Sequence, residues 1–376
     1  MSEFTPPDLF EQATGVEPEE TAGEDRISSP FDPTKIKVTV HAMTIDLLLK
    51  RIRAHEIDLA PDFQRKAGIW TPRQASRLIE SILIRIPLPA FYMDATDENR
   101  WVVVDGLQRL TVLSRFVVEQ SMGLHGLEFL SQFEGKRYVD LPRPFQRRID
   151  ETQVTVYTIE PPTPPEARFN IFKRINTGGM PLTTQEVRHA LNPGPVMEFL
   201  KELAESSLFI DATNGGVSPD RMDDRECVLR FCAFWFNPYE QYTVKEFDSF
   251  LNDAMAAINK MTAAERQKLG DRFRSSMERA KAVFDRYAFR KRDPKKLDRS
   301  FPINKALFEA WSVNLARLDK TQAELLVSRR DRLTSGFIDL LAESDFAGAI
   351  SQGTGDVRKV QARFGRIERL MEEVLA

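Results

Sequence analysis

The stretch that most constrains the fold is Trp101-Val102-Val103-Val104-Asp105-Gly106-Leu107-Gln108-Arg109-Leu110-Thr111-Val112-Leu113, a buried-strand pattern that ends in Asp-Gly and runs straight into a helix. Such a junction needs a sheet with helices layered on it, because both elements must bury an apolar face. It also leaves the first backbone N–H groups of the helix without partners and sets the positive end of the helix dipole beside them, which makes an anion site. Asp105 falls at the C-terminal end of a strand, where open sheets collect ligands. Two readings of it stand. As a plain N-cap it accounts for the Asp and the Gly, but not for Gln108 and Arg109 in the first turn, where an arginine opposes the dipole unless an anion is present.

At 376 residues the chain exceeds one ordinary core, so two domains are expected. Hydrophobic residues make up 42% and charged residues 29%, and no apolar stretch is long enough to span a bilayer. With no charged-then-apolar segment at the start, a cytoplasmic protein with no membrane partner is expected. Cys227 and Cys232 lie in a helical pattern rich in Phe and Trp, which predicts reduced, buried thiols rather than a disulfide or a metal site. The net charge of -3 gives no global pull toward nucleic acid. One basic run, Arg290 to Arg299, is either a solvated loop or a DNA-binding patch.

Residues 1–35 are acidic and proline-punctuated, and predict a disordered tail. Residues 36–192 mix strands and helices. An alternating strand begins at Ile36, an amphipathic helix runs from Met43 to Ala54, and Thr71-Pro72 caps a second helix that Pro87 and Pro89 stop. Ala90 to Met93 and Trp101 to Asp105 predict a hairpin, and Gln153 to Ile159 a further strand. Pro165 opens a helix carrying Phe169, Phe172 and Ile175; the turn Asn176-Thr177-Gly178-Gly179 breaks it, and Thr183 to Glu186 has capping-box spacing for the next. Residues 193–376 read as all-α, with the same spacing at Thr243 to Glu246 and Thr262 to Glu265. No internal repeat at solenoid periods is present.

Arg65, in Phe63-Gln64-Arg65 ahead of Trp70, offers a donor fork suited to phosphate or carboxylate, whereas Trp70 itself reads as a packing anchor. The turn from Asn176 to Gly179, preceded by Lys173 and Arg174, is equally a phosphate-cradling nest or an ordinary helix C-cap. The sequence contains no GxxxxGK[ST], HExxH or GxSxG pattern. His41, His55, His125 and His189 are scattered, and His189, just after the glycine turn, is the one to watch.

Taken in order, Pro61 to Arg65 with Trp70, Ser81-Ile82 to Pro87-Leu88-Pro89, Asp105 to Arg109, and Arg174 to Gly179 with Leu182 and Gln185-Glu186 resemble the GmrSD-type restriction-enzyme N-terminal domain family, over roughly residues 36 to 190. Its hallmark is an Asp-Gly-Gln-Gln-Arg motif on a ParB/sulfiredoxin-like fold. The resemblance implies an α+β fold, a small mixed sheet with helices followed here by an all-α C-terminal domain. It implies a nucleoside triphosphate with Mg²⁺ and an NTPase acting in bacterial restriction or anti-phage defence. Carried onto this chain, Asp105 and Gln108 would be catalytic, with Asp105 also holding the metal. Arg65, Gly106, Arg109, Asn176, Thr177, Gly178 and Gly179 would bind the nucleotide. Leu107 stands where the family motif has its first Gln, which would weaken hydrolysis while sparing binding, and it excludes thiolate chemistry of the sulfiredoxin kind. The helical half lacks the His-rich pattern of an HNH nuclease, so a regulator working with a separate nuclease subunit is expected. The rival is a ParB-like adaptor that binds DNA or protein without turnover.

Overall fold

A computed structural model describes residues 15–18, 32–59, 70–175, 182–243, 246–295 and 298–376. The chain divides into two compact units, one spanning residues 30–191 and the other residues 1–29 with 192–376.

The first unit is built on a mixed sheet whose strands are β1 (Lys37–Thr44), β2 (Ile57–Asp58), β3 (Phe91–Asp94), β4 (Trp101–Asp105) and β5 (Gln153–Glu160). Their order is β1-β5-β3-β4-β2, with β1/β5 and β3/β4 antiparallel and β3/β5 and β2/β4 parallel. The helices are α1 (Ile45–Arg53), α2 (Pro72–Leu83), α3 (Leu107–Leu113), α4 (Arg143–Glu151), α5 (Pro165–Ile175) and α6 (Thr184–Leu191). One sheet face buries Met43, Phe91, Met93, Val103, Val154 and Val156 against α1, α2, α3 and Ile149 of α4. On the opposite face Val104 and Ile159 pack with Phe169 and Phe172 of α5 and Val187 of α6. Val103 and Val104 thus bury in opposite directions, which is why this strand reads as a continuous apolar run rather than an alternating one. The expected α+β class, with a small mixed sheet and a helical remainder, is what forms.

Local signals set most boundaries. Thr71 and Gln74 close a reciprocal capping box at 3.3 and 2.9 Å, and Pro72 opens α2. This helix ends before the prolines do, since Arg85 turns left-handed at φ +67°. Thr183 and Glu186 cap α6 as their spacing predicts. At Thr243 the same spacing misleads: Glu246 is itself the N-cap residue, and the helix begins at Phe247. Two elements escaped the sequence reading. Helix α4 buries only Ile149, so it carries no apolar period, and β2 is two residues long. Between α3 and α4 the chain makes a π-turn over Ser114–Val118 and a loop pinned by Glu80, whose carboxylate accepts the amides of Glu128 at 3.0 Å, Phe129 at 2.7 Å and Leu130 at 2.8 Å.

The second unit is helical: α7 (Pro195–Ala204), α8 (Ser207–Thr213), α9 (Asp223–Phe236), α10 (Phe247–Lys260), α11 (Ala263–Phe284), α12 (Lys305–Arg317), α13 (Lys320–Ser328), α14 (Arg330–Ala342), α15 (Ser344–Ala349) and α16 (Val357–Leu375). Thr262 and Glu265 close the capping box that opens α11. Inside the aromatic core runs a chain of paired charges. Arg363 of α16 and Arg230 of α9 both donate to Glu309 of α12, Arg230 continues to Glu226 at 2.7 Å, and Lys305 joins Glu226 at 3.1 Å and Asp223 at 2.8 Å. Cys227 and Cys232 are free and buried on α9, as expected, and burial pushes both thiols up. Within the segment read as a tail, Val16 bridges to Ile303 and Glu17 pairs with Lys291. Among the described residues no helix is long and apolar enough to cross a membrane.

Candidate functional site at the bend after β4

Strand β4 delivers Asp105 directly opposite Tyr92 of β3, past a bulge between Tyr92 and Met93. Gly106 then turns the chain at φ +98° and stands as the N-cap of α3. A Cβ there would sit 2.4 Å from a ring carbon of Phe91, so both the backbone angle and the space require glycine. Asp105 remains 30% exposed and Gln108 is half-buried, so both reach the surface of the bend. Leu107, at the position where the family motif has its first Gln, is buried in the core with α1 and α2. In this chain that position serves packing.

Arg109 is 8% exposed, and its guanidinium is committed to the protein. It donates to the carbonyls of Pro89 and, at 3.1 Å, Ala90, and to Asp105 at 2.8 Å, while lying 4.5 Å from the Phe91 ring centroid. Burial lowers its pKa and the Asp105 charge opposes that shift; an arginine stays protonated under both influences. The sequence reading aimed Arg109 at a phosphate. In the structure it ties the segment entering β3 to the start of α3 and holds Asp105 from the inside.

Among the described residues, no group of three or more His, Cys, Asp or Glu side chains is placed to hold a metal ion. Asp105 is a single carboxylate already paired with Arg109. That single carboxylate is no protein-built metal cage, and a Mg²⁺ ion held there would need most of its ligands from elsewhere.

Arg65, Asn176, Thr177, Gly178 and Gly179 lie outside the described residues. The helix that follows that turn is revealing nonetheless. Gln185, Glu186, Arg188 and His189 of α6 are all at most 2% exposed, an unusual density of sunken polar groups. Gln185 accepts from Arg188 at 2.8 Å, and Arg188 lies 5.8 Å from the Phe169 ring centroid. The sequence singled out His189; the capping box could have flagged Glu186, but nothing signalled that Gln185, Glu186, Arg188 and His189 of α6 are all internal. Trp70 packs against the core, as its packing reading predicts.

The basic run of the helical unit is largely engaged. Arg290 is 3% exposed and donates to the carbonyls of Phe301 and Thr213, Lys291 pairs with Glu17 at 2.5 Å, and Arg292 stacks on Tyr287 at 3.8 Å. Arg299 covers the Phe301 ring at 4.9 Å.

No curated protein matches the chain. Residues 45–192, which contain the β4 bend and helices α1 to α6, match the family model described as GmrSD restriction endonuclease, N-terminal domain.

Proposed function

We propose that the chain is a component of a bacterial restriction or anti-phage system whose sheet-bearing domain binds a nucleoside triphosphate with Mg²⁺ and hydrolyses it. The observation that carries this reading is the bend inside the family-matched segment: a partly exposed carboxylate at Asp105, held from behind by the buried Arg109, at a glycine turn that packs against Phe91 and opens α3. Asp105 is rigid without being sealed. It would orient a metal-bound water or the metal itself, and Gln108 would position the attacking water. Bound Mg²⁺ would supply charge neutralisation at the phosphates. Arg109 acts here as a positioning residue. Arg65 and the turn Asn176 to Gly179 complete the proposed phosphate-binding set on sequence grounds.

The helical half is read as the sensor or relay, with a separate nuclease subunit as partner. Its interior carboxylates Glu226 and Glu309 are bound up in ion pairs that fix helices to one another. A DNA-binding adaptor acting through Arg290 to Arg299 draws on fewer available cations, because Arg290 and Lys291 are held internally. The test is phosphate release from ATP, GTP, CTP and UTP with Mg²⁺, wild type beside Asp105→Asn and Gln108→Ala. Turnover that falls at least tenfold in both variants supports the assignment; turnover unchanged in both removes it.

A further inference from the structure

The sheet face that packs on α5 and α6 is covered only in part. Register places Val40 of β1 beside Tyr157 of β5, Tyr157 beside Tyr92 of β3, and Tyr92 opposite Asp105 of β4, so these four residues form one row across the sheet. At its outer end the row is open: Val40 is 58% exposed and its neighbour Val38 43%. In the middle, the half-buried rings of Tyr92 and Tyr157 stack on each other with centroids 4.9 Å apart and planes 10° from parallel. At its inner end it meets the Asp105–Arg109 pair, and Arg109 feels the Tyr92 phenol electrostatically.

An apolar strip with exposed valines and stacked aromatic rings is an unusual choice for a solvated sheet face, and such patches mark binding surfaces. Aromatic rings on a sheet are the common platform for nucleobases, because every base offers a π-face to stack on. The strip also starts where the proposed phosphate site ends. Resting on the nucleotide reading above, we infer that the Tyr92–Tyr157 pair is the base-binding subsite, and that it selects purine nucleotides. A two-ring base covers more of an aromatic surface than a pyrimidine does, so the stack itself supplies the preference.

The test is calorimetric titration of the full chain with ATP, GTP, CTP, UTP and inorganic tripolyphosphate in the presence of Mg²⁺. Wild type is expected to bind ATP or GTP more tightly than CTP and UTP. Tyr157→Leu should weaken the purine nucleotide about tenfold and leave tripolyphosphate unchanged, while Tyr157→Phe keeps both. Unaltered purine affinity in Tyr157→Leu overturns the subsite. If Asp105→Asn at the same time loses tripolyphosphate, the nucleotide reading survives that failure; if wild type binds neither nucleotide nor tripolyphosphate, both fall. Should Tyr157→Leu not fold, photolabelling of wild type with 8-azido-ATP decides. Label on Tyr92 or Tyr157 supports the subsite, and label confined to other residues overturns it.

Discussion

The two units each bury arginine, and they do so in different ways. In the helical unit Arg363 and Glu309 are both fully buried, Arg230 is 3% exposed, and the network of three cations and three carboxylates balances its charge, reaching solvent only at its far end, at Asp223. In the sheet-bearing unit Arg109 leans on two backbone carbonyls and on one carboxylate that still touches solvent. The closed network holds helices α9, α12 and α16 together. The half-open pair holds a bend rigid while leaving a charged edge at the surface.

The largest effect should come from breaking the closed network. Glu309→Leu strands Arg363 and Arg230 without their shared carboxylate, and unpaired buried charge of this kind is destabilising by about 3–5 kcal/mol. Urea unfolding should show that loss; a shift below about 1 kcal/mol would mean that the network is not what ties the helices. Next comes Gly106→Ala, which forces a side chain into the left-handed region and against Phe91, with an expected penalty of about 1–3 kcal/mol. A melting temperature equal to wild type would contradict the close packing at the bend.

Replacing Arg109 by Lys sharpens the contrast further. Lysine keeps the charge but lacks the planar fork that reaches Pro89, Ala90 and Asp105 together, so the loss should approach that of Arg109→Met, about 1–3 kcal/mol. Full rescue by lysine would reduce Arg109 to a plain charge.

The smallest effect concerns Glu80. Burial opposes its ionisation, but the amides of Glu128, Leu130 and Phe129 outweigh burial and hold the carboxyl below its ordinary range. A carboxylate depressed in the folded state stabilises above its unfolded pKa and loses that contribution as pH falls through the depressed value. Protection of the amides of residues 128–130, measured against the intrinsic exchange rate at each pH, should therefore fall on acidification below the ordinary carboxylate range, and Glu80→Gln should show the reduced protection already at neutral pH. Protection in that variant equal to wild type at neutral pH would sink the idea.

Much of this was legible in the chain. Trp101 to Asp105 forms the predicted strand, Pro165 opens the predicted helix, and the boxes at Thr183 and Thr262 cap where their spacing says, because each depends on groups within a few residues of one another. What could not be read depends on distant partners. The ends of Arg109 are met by Pro89 and Ala90, twenty residues upstream, and no local pattern says that the first-turn arginine turns inward. The aromatic pair is hidden for the same reason: Tyr92 and Tyr157 become neighbours only when β3 and β5 align in parallel. Glu309 finds Arg230 and Arg363 across three helices whose sequence spacing carries no trace of the contact.

The central claim is that the bend at Asp105 receives a nucleotide's phosphates, and thermal unfolding of the full chain with Mg²⁺ and each of the four nucleoside triphosphates tests it most directly. A ligand that binds only the folded state must raise apparent stability. The account predicts a concentration-dependent rise in melting temperature for at least one nucleotide, abolished in Asp105→Asn when that variant is compared with its own nucleotide-free melting temperature, since the substitution takes the carboxylate charge from the buried Arg109. No rise with any nucleotide, or the same rise in Asp105→Asn, would contradict it.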